Sequence, residues 1–313
     1  MNDARWISFG GSRVHLVCRH LDWGPSVDFL LATLPQGAPG QDALTTLTLS
    51  RSEADGTWAI TETVAPLAPQ FWGELSTTSP KVGGRGAEGR EPLQSVLAAD
   101  SSLFGRTSHL LGRICHGLAD QSGPGVLFHA GAVAWGGRRI VIPGGVGRGK
   151  STLTAWLALH GGRYLSDELV YWPSAQEPFA ALARPLNLRW AGWQALLPGL
   201  TDEKQEEILA RSLHQSGEGV LVLPPPWPAE TSADGDPSLL LFPHFQPKAP
   251  LTLTRLSPAR AGKALMESLV NGRNLPDHGF GMAVKLAAHI PAWRLTYGDF
   301  DQLDDAFWTQ LRT

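Results

Sequence analysis

The chain has 313 residues and a net charge of −3, a balance that excludes the strongly basic surface of a nucleic-acid-binding protein. Its apolar content is ordinary for a globular protein, and no apolar run approaches the roughly 20 residues that cross a bilayer. Residues 1–6 lack the charged-then-apolar pattern of a signal peptide, so we expect a cytoplasmic protein without a membrane partner. The two cysteines, Cys18 and Cys115, are then expected to be free thiols.

The first part of the chain is rich in strand signals and predicts a small β-rich α+β domain over residues 1–120. Alternating apolar and polar residues predict strands at residues 6–9, 13–18, 45–50 and 58–64. Gly10 and Gly11 provide a turn between the first two strands, which predicts a hairpin. Residues 27–34 alternate poorly and fit either a short helix or a short strand.

A change of composition follows this strand-rich part. Residues 77–92 are rich in glycine, arginine, serine and proline, which predicts a mobile loop or linker. Residues 93–118 then carry apolar side chains at helical spacing, which predicts one or two helices. We expect the first domain to end with these helices.

From residue 124 the predicted elements alternate between strands and helices, which is typical of an α/β domain and here extends to residue 313. Strands are predicted at residues 126–134, 139–142, 163–166, 169–172, 239–243, 251–256 and 293–297. Helices are predicted at residues 151–159, 201–213, 257–271 and 300–311. Ser257 and Pro258 are typical of a helix N-cap and first helical position, and residues 221–237 are predicted to be extended and irregular.

A glycine-rich loop joins the strand at 139–142 to the helix that follows it. The loop fits the phosphate-binding pattern Gly-x-x-x-x-Gly-Lys-Ser, with the residues Gly144, Gly145, Val146, Gly147, Arg148, Gly149, Lys150 and Ser151. Glycines let backbone N–H groups approach phosphate oxygens, Lys150 would reach the β- and γ-phosphates, and Ser151 would bind Mg²⁺. With Thr152 in the first turn, the helix would point the positive end of its dipole at the phosphates. The pattern therefore predicts a site for a nucleoside triphosphate.

Two acidic residues follow the predicted strand 163–166. The carboxyl ends of strands line the ligand crevice of an open α/β sheet, so Asp167 is expected near the γ-phosphate and Mg²⁺. There it could hold the metal or accept the proton of an attacking hydroxyl, and the adjacent Glu168 is a second metal candidate. Neighbouring strand residues point to opposite faces, so the two carboxylates are not expected to face the same atom. His129, within a predicted strand, fits either an ordinary core histidine or a site residue.

Three blocks of sequence together resemble the C-terminal domain of HPr kinase/phosphorylase: residues 128–134, 144–151 and 162–168. The likeness is closer to the shorter relatives linked to ribosomally made peptides, including lasso-peptide kinases, and it covers roughly residues 124–300. Val146 stands where the family usually has serine, and Glu168 stands where it has a second aspartate. The longer C-terminal signature of the phosphorylase reaction is not found.

The resemblance implies a phosphate-loop kinase core that uses ATP and Mg²⁺ and phosphorylates a serine or threonine of a peptide or protein. It implies catalytic roles for Asp167, His129 and Lys150, and a phosphate contact from Lys248. Residues 1–120 would recognise the acceptor, and the full-length family suggests a homo-oligomer.

The same residues are also compatible with other functions. The acceptor could be a small-molecule alcohol, and the chain could be an ATP-binding switch or scaffold with weak hydrolysis, or an inactive relative in view of Val146. A kinase would also need a cation to close over the transferred group. Arg184, Arg189 and Arg273 are the candidates, and sequence does not choose among them.

Overall fold

A computed structural model describes residues 4–38, 45–65, 92–135, 137–145, 147–175, 177–224, 239–303 and 307. These residues form a mixed α/β fold with sixteen strands in three sheets and seven α-helices. Within this part of the chain, no helix has both the length and the apolar character needed to cross a membrane. Neither Cys18 nor Cys115 forms a disulfide in the part of the chain that the structure describes.

The first sheet has five strands with two helices packed against it. Its strands, hydrogen-bonded in chain order, are β1 (Ala4–Phe9), β2 (Ser12–Cys18), β3 (Thr45–Arg51), β4 (Trp58–Val64) and β5 (Leu93–Leu97). The packed helices are α1 (Gly24–Leu31) and α2 (Leu103–Asp120). The predicted hairpin is confirmed, and Gly10 and Gly11 have φ values of 59° and 74°, a region that favours glycine. The ambiguous segment 27–34 begins within α1.

The predicted helix at 93–118 is wrong at its start. Residues 93–97 form strand β5, which pairs antiparallel with β4, and the helix begins only at Leu103. Ser102 is the N-cap, and its Oγ accepts a hydrogen bond from the Gly105 backbone N–H at 3.0 Å. Leu93 and Val96 are spaced as on a helix but are exposed, so pairing with β4 decided the local structure. The predicted loop at 77–92 lies outside the described residues except for Pro92.

The second half contributes eleven strands and five helices. The strands are β6 (Val126–Trp135), β7 (Arg138–Pro143), β8 (Arg163–Ser166), β9 (Leu169–Trp172), β10 (Ala180–Ala181), β11 (Leu186–Arg189), β12 (Ser212–Gln215), β13 (Gly219–Val222), β14 (Leu239–Phe245), β15 (Thr252–Arg255) and β16 (Ala292–Tyr297). The helices are α3 (Lys150–Leu159), α4 (Trp190–Leu196), α5 (Asp202–Ala210), α6 (Pro258–Ser268) and α7 (Phe280–His289).

An eight-stranded sheet forms the centre of this half. Its order is β10-β9-β6-β7-β14-β16-β15, and β8 also pairs with β6; a small separate sheet has the order β11-β13-β12. Strands β7, β14 and β16 are parallel, so their carboxyl ends lie at the same edge. Ile140 and Ile142 face a core formed with α3, whereas Val141 faces a core formed with α6 and α7. This alternation places helices on both faces of the sheet.

Several predicted boundaries in the second half are wrong. The helix predicted at 201–213 ends at Ala210, because Ser212–Gln215 pairs with β13 instead. The helix capped by Ser257 ends at Ser268 rather than at residue 271. Of the closing helix predicted at 300–311, the described residues show a 3₁₀ turn at Phe300–Gln302 and a helical residue at 307, and the others lie outside the described part of the chain. Residues 221 and 222, predicted to be irregular, belong to β13. Helices α4 and α7 were not predicted from sequence.

The two halves share part of their packing. The core beneath the first sheet includes Leu127, Leu169, Tyr171, Leu182 and Leu221 from the second half. The division into domains at 1–120 and 124–313 therefore stays a prediction, since apolar side chains from both sides of residue 120 are buried together.

Candidate functional site

The glycine loop connects β7 to α3, as its pattern predicts. Gly147 and Gly149 have φ values of 82° and 86°, where a side chain would be strained. At Gly149 a Cβ would also lie 2.9 Å from the Tyr297 hydroxyl oxygen and 3.0 Å from the Phe245 Cβ. Both conformation and space therefore require glycine at this position. Val146 lies outside the described residues.

Helix α3 begins immediately after the loop without a side-chain cap. Gly149 occupies the N-cap position and provides no capping hydrogen bond from a side chain. The first N–H groups of any helix lack partners within the helix, and here they belong to Lys150, Ser151 and Thr152. The uncapped end carries the positive pole of the helix dipole, which favours an anion.

Lys150 is a buried cation at this helix start. Its side chain is 5% exposed, and its Nζ donates a hydrogen bond to the backbone oxygen of Asp167 at 2.9 Å. Burial lowers the pKa of Lys150, and the nearby charges of Glu168 and Asp167 oppose that shift. An ammonium group has three N–H donors, so the bond to Asp167 leaves donors for a ligand.

Asp167 and Glu168 lie in the bend between β8 and β9, and the structure gives them different surroundings. Asp167 is fully buried; its Oδ1 accepts from the Tyr164 hydroxyl at 2.8 Å and from Arg184 Nε at 2.7 Å. Its Oδ2 accepts from the Asn187 backbone N–H at 3.2 Å. Burial would raise the pKa of Asp167, but the attraction and hydrogen bond of Arg184 outweigh it and hold that pKa below its usual value.

Glu168 is the carboxylate that faces the cavity next to the loop. Its side chain is 32% exposed, and Oε2 accepts a hydrogen bond from Arg184 Nη2 at 3.0 Å. Oε1 lies 3.3 Å from His129 Nε2. Burial, followed by the charge of Lys150, lowers the pKa of His129, so its ring is neutral at pH 7. One guanidinium, that of Arg184, thus holds a core carboxylate and a cavity carboxylate side by side.

A single cavity of about 460 Å³ collects most of the predicted site. The predicted residues on its wall are His129, Gly145, Gly147, Gly149, Lys150, Ser151, Thr152 and Glu168. Of the candidate arginines, Arg184 and Arg189 are on that wall and Arg273 is not. Four other predicted residues are not on it either. The Gly144 N–H donates to the His129 backbone oxygen at 3.4 Å, and Arg148 Nη1 contacts His244 Nδ1 at 3.0 Å. Asp167 is enclosed in the core, and Lys248 is exposed on a turn after β14.

Sequence reasoning missed several wall residues. They are Asn187, Leu188, Ala191, Gly192, Ala195, Phe245, Tyr297 and Phe300. Tyr297 is notable because its buried hydroxyl has no hydrogen-bond partner within the described residues. Burial raises the pKa of Tyr297, so the hydroxyl keeps its proton and is a donor at neutral pH. No local pattern marks these residues, since they come from distant parts of the chain.

The described residues contain no group of three or more His, Cys, Asp or Glu side chains that could hold a metal ion on its own. A phosphate loop does not require such a group, because phosphate oxygens and water supply most ligands of Mg²⁺. The Ser151 hydroxyl and the Glu168 carboxylate, both on the cavity wall, are oxygen donors of the kind Mg²⁺ prefers. These two residues fit a nucleotide-bound magnesium, whereas Asp167 is enclosed.

Two comparisons with known proteins bear on the resemblance. No protein-family model matches the sequence, and no curated protein matches it. The likeness to HPr kinase therefore stays a prediction from the motif residues, and function is inferred from the geometry of the site.

Proposed function

We propose that this chain is a phosphate-loop kinase of the HPr-kinase-like type, which transfers the γ-phosphoryl group of MgATP to a hydroxyl. The observation that carries the proposal is the meeting of the glycine loop, Lys150, Ser151 and the Glu168–His129 pair on one cavity wall. Each is a group that phosphoryl transfer needs: a phosphate cradle, a cation, a metal ligand and a proton acceptor.

The phosphate end of the site is formed by α3 and the loop before it. Backbone N–H groups of the loop and of the uncapped helix start donate to phosphate oxygens, and Lys150 offsets the negative charge that develops there. Tyr297 adds a donor, because its hydroxyl lies against Gly149 and has no partner among the described residues. Ser151 and Glu168 are the residues that would hold Mg²⁺, which would supply neutralisation of the phosphate charge.

His129 accepts the proton of the acceptor hydroxyl. Its neutral ring is a base at pH 7, and the Glu168 carboxylate 3.3 Å from Nε2 stabilises the charged ring. The acceptor oxygen then forms a bond to the γ-phosphorus, the bond from that phosphorus to the bridging oxygen breaks, and ADP leaves with the electron pair. Asp167 is here a positioning residue, because it holds Arg184 and through it Glu168.

A second groove supports a peptide or protein as the acceptor. It has a volume of about 740 Å³ and shares Glu168, Arg184 and Asn187 with the phosphate-loop cavity. An acceptor lying in this groove would meet the nucleotide site at these shared residues. Helix α2 and residues 269–278 line it, so both halves of the chain contribute to the proposed acceptor site.

The test compares wild type with Lys150→Met and with the control Lys248→Met, because Lys248 is exposed and lies off the cavity wall. We expect Lys150→Met to weaken MgATP binding in calorimetry and to abolish ADP release stimulated by a pool of Ser- and Thr-bearing peptides. Lys248→Met should match wild type, and mass spectrometry should find a phosphorylated peptide.

Undiminished binding by a folded Lys150→Met protein would contradict the proposed phosphate site. ATP binding with ADP release but no phosphorylated peptide would instead indicate a small-molecule acceptor or slow hydrolysis by a switch protein.

A further inference from the structure

A row of aromatic rings leads away from the glycine loop. Ring centroids are 5.5 Å apart for Phe245 and Tyr297, 5.5 Å for Tyr297 and Phe300, 5.9 Å for Phe300 and Trp156, and 4.0 Å for Trp156 and His160. The row starts at the loop, because both Phe245 and Tyr297 approach Gly149. It therefore connects the phosphate end of the site with a more distant surface.

That surface is a further cavity that adjoins the phosphate-loop cavity. The cavity has a volume of about 780 Å³ and shares Ala195, Phe245 and Phe300 with the phosphate-loop cavity. Asp299 and Asp301 also line it, and Asp299 Oδ1 accepts a hydrogen bond from the Asp301 backbone N–H at 3.1 Å, which leaves other acceptor positions of the carboxylate for a ligand. A ligand held at the loop could therefore extend along the aromatic row without leaving the protein surface.

Phe245 stands at the junction of the two cavities and is 40% exposed. Its position is fixed by the end of β14, where the Phe245 N–H donates to the Arg148 backbone oxygen at 3.4 Å. Phe300 is half-buried, with its ring stacked nearly parallel to that of Trp156 at an angle of 8°. Two accessible phenyl rings at the exit of a phosphate site form a surface on which a flat ring can stack.

We infer that this second cavity binds the purine base of the nucleotide whose phosphates occupy the glycine loop, with Phe245 and Phe300 as its stacking surface. The inference rests on the proposed function and names the base-binding part of the same site. A purine is assigned because its two fused rings cover more aromatic surface than a pyrimidine does. The Asp299 and Asp301 carboxylates are acceptors for the exocyclic amino group that adenine and guanine carry.

The experiment measures binding of MgATP and of magnesium tripolyphosphate, which has the phosphates but no base, to the full chain by calorimetry. Wild type is compared with Phe245→Ala and with the control Phe280→Ala, which removes a phenyl ring 59% exposed elsewhere on the surface. We expect Phe245→Ala to weaken ATP binding at least about fivefold, as for loss of a base–aromatic stack, with tripolyphosphate affinity unchanged. Phe280→Ala should change neither.

Phe300→Leu is a second variant, which keeps an apolar side chain but removes the ring. It should also weaken ATP binding while leaving tripolyphosphate affinity unchanged. Equal losses for ATP and tripolyphosphate, or no loss for ATP in either variant, would overturn the inference while leaving the phosphate site in place. Equal wild-type affinity for ATP and CTP would overturn the assignment of a purine. Failure of wild type to bind either ATP or tripolyphosphate would refute the proposed function itself, and this inference with it.

Discussion

Asp167 and Glu168 are neighbours with different predicted roles, so conservative substitutions of each should separate stability from phosphoryl transfer. Asp167→Asn removes a buried charge that Arg184 contacts at 2.7 Å. The amide N–H₂ of the new asparagine is a donor, and every partner of the Asp167 carboxylate is also a donor. In either orientation of the amide, the N–H₂ would face the Asn187 N–H or the donors of Tyr164 and Arg184. Arg184 is only 3% exposed, and loss of a partner from a buried ion pair costs about 3–5 kcal/mol. We expect a loss of that size in the free energy of unfolding.

Glu168→Gln should have the opposite effect: a small change in the free energy of unfolding and a large loss of phosphoryl transfer. The glutamine oxygen can still accept the hydrogen bond from Arg184. Because the side chain is 32% exposed, we expect the substitution to lower the free energy of unfolding by at most about 1 kcal/mol. Transfer should nevertheless fall by about a hundredfold or more, because the neutral amide no longer stabilises a charged His129 and is a weaker metal ligand.

The two substitutions are compared by urea unfolding, followed by tryptophan fluorescence, and by ADP release at saturating MgATP and acceptor. An Asp167→Asn protein with the urea midpoint of wild type would refute the argument that the Asp167–Arg184 pair stabilises the core. A folded Glu168→Gln protein that transfers phosphate at the wild-type rate would show that the Glu168 carboxylate is not needed for the reaction.

Two further predictions concern groups on the cavity wall. Tyr297→Phe should leave the free energy of unfolding nearly unchanged, because the hydroxyl has no partner within the described residues, yet weaken MgATP binding by about tenfold or more in calorimetry. Equal affinity in the two proteins would exclude Tyr297 as a phosphate donor. Burial holds the pKa of His129 below its usual value of about 6.5, so kcat/KM should fall only on the acid side of 6.5, where the ring becomes charged. The unfolded chain binds this proton more readily, so His129 also makes stability fall with decreasing pH; an acid limb that persists in His129→Asn would refute the assignment.

The parts of the fold that were predicted correctly are those encoded by short sequences. The Gly10–Gly11 hairpin, the start of α6 after Ser257 and the passage from β7 to α3 each have residues that suit one local conformation. The failures lie where tertiary pairing outweighs local spacing. Leu93 and Val96 are three residues apart, as on a helix, but their backbone pairs with β4. Helix α7 follows three unusual positive-φ residues, and its start has no Ser, Thr, Asp or Asn at the N-cap.

The candidate site also has a part that a local motif predicts and a part that depends on tertiary contacts. The loop and Lys150 could be located from sequence because the backbone conformation and the chemistry lie within eight consecutive residues. The difference between Asp167 and Glu168 could not, because it depends on Arg184, Tyr164 and the Asn187 N–H, none of which has a recognisable local signal. The strand alternation expected for the two acids also does not apply, since both lie in a bend.

The charges around the cavity indicate which arginine would be available to a phosphoryl group in the proposed transfer. Arg184 donates to both carboxylates of the bend, so its guanidinium is already engaged in holding them. Arg273 forms an ion pair with Asp120 and lines the second groove instead. Arg189 is exposed and lies on the wall of the phosphate-loop cavity, at the end of β11. Because a buried pair is costly to break and an exposed side chain is free to move, Arg189 is the arginine expected to approach the negative charge of a bound triphosphate.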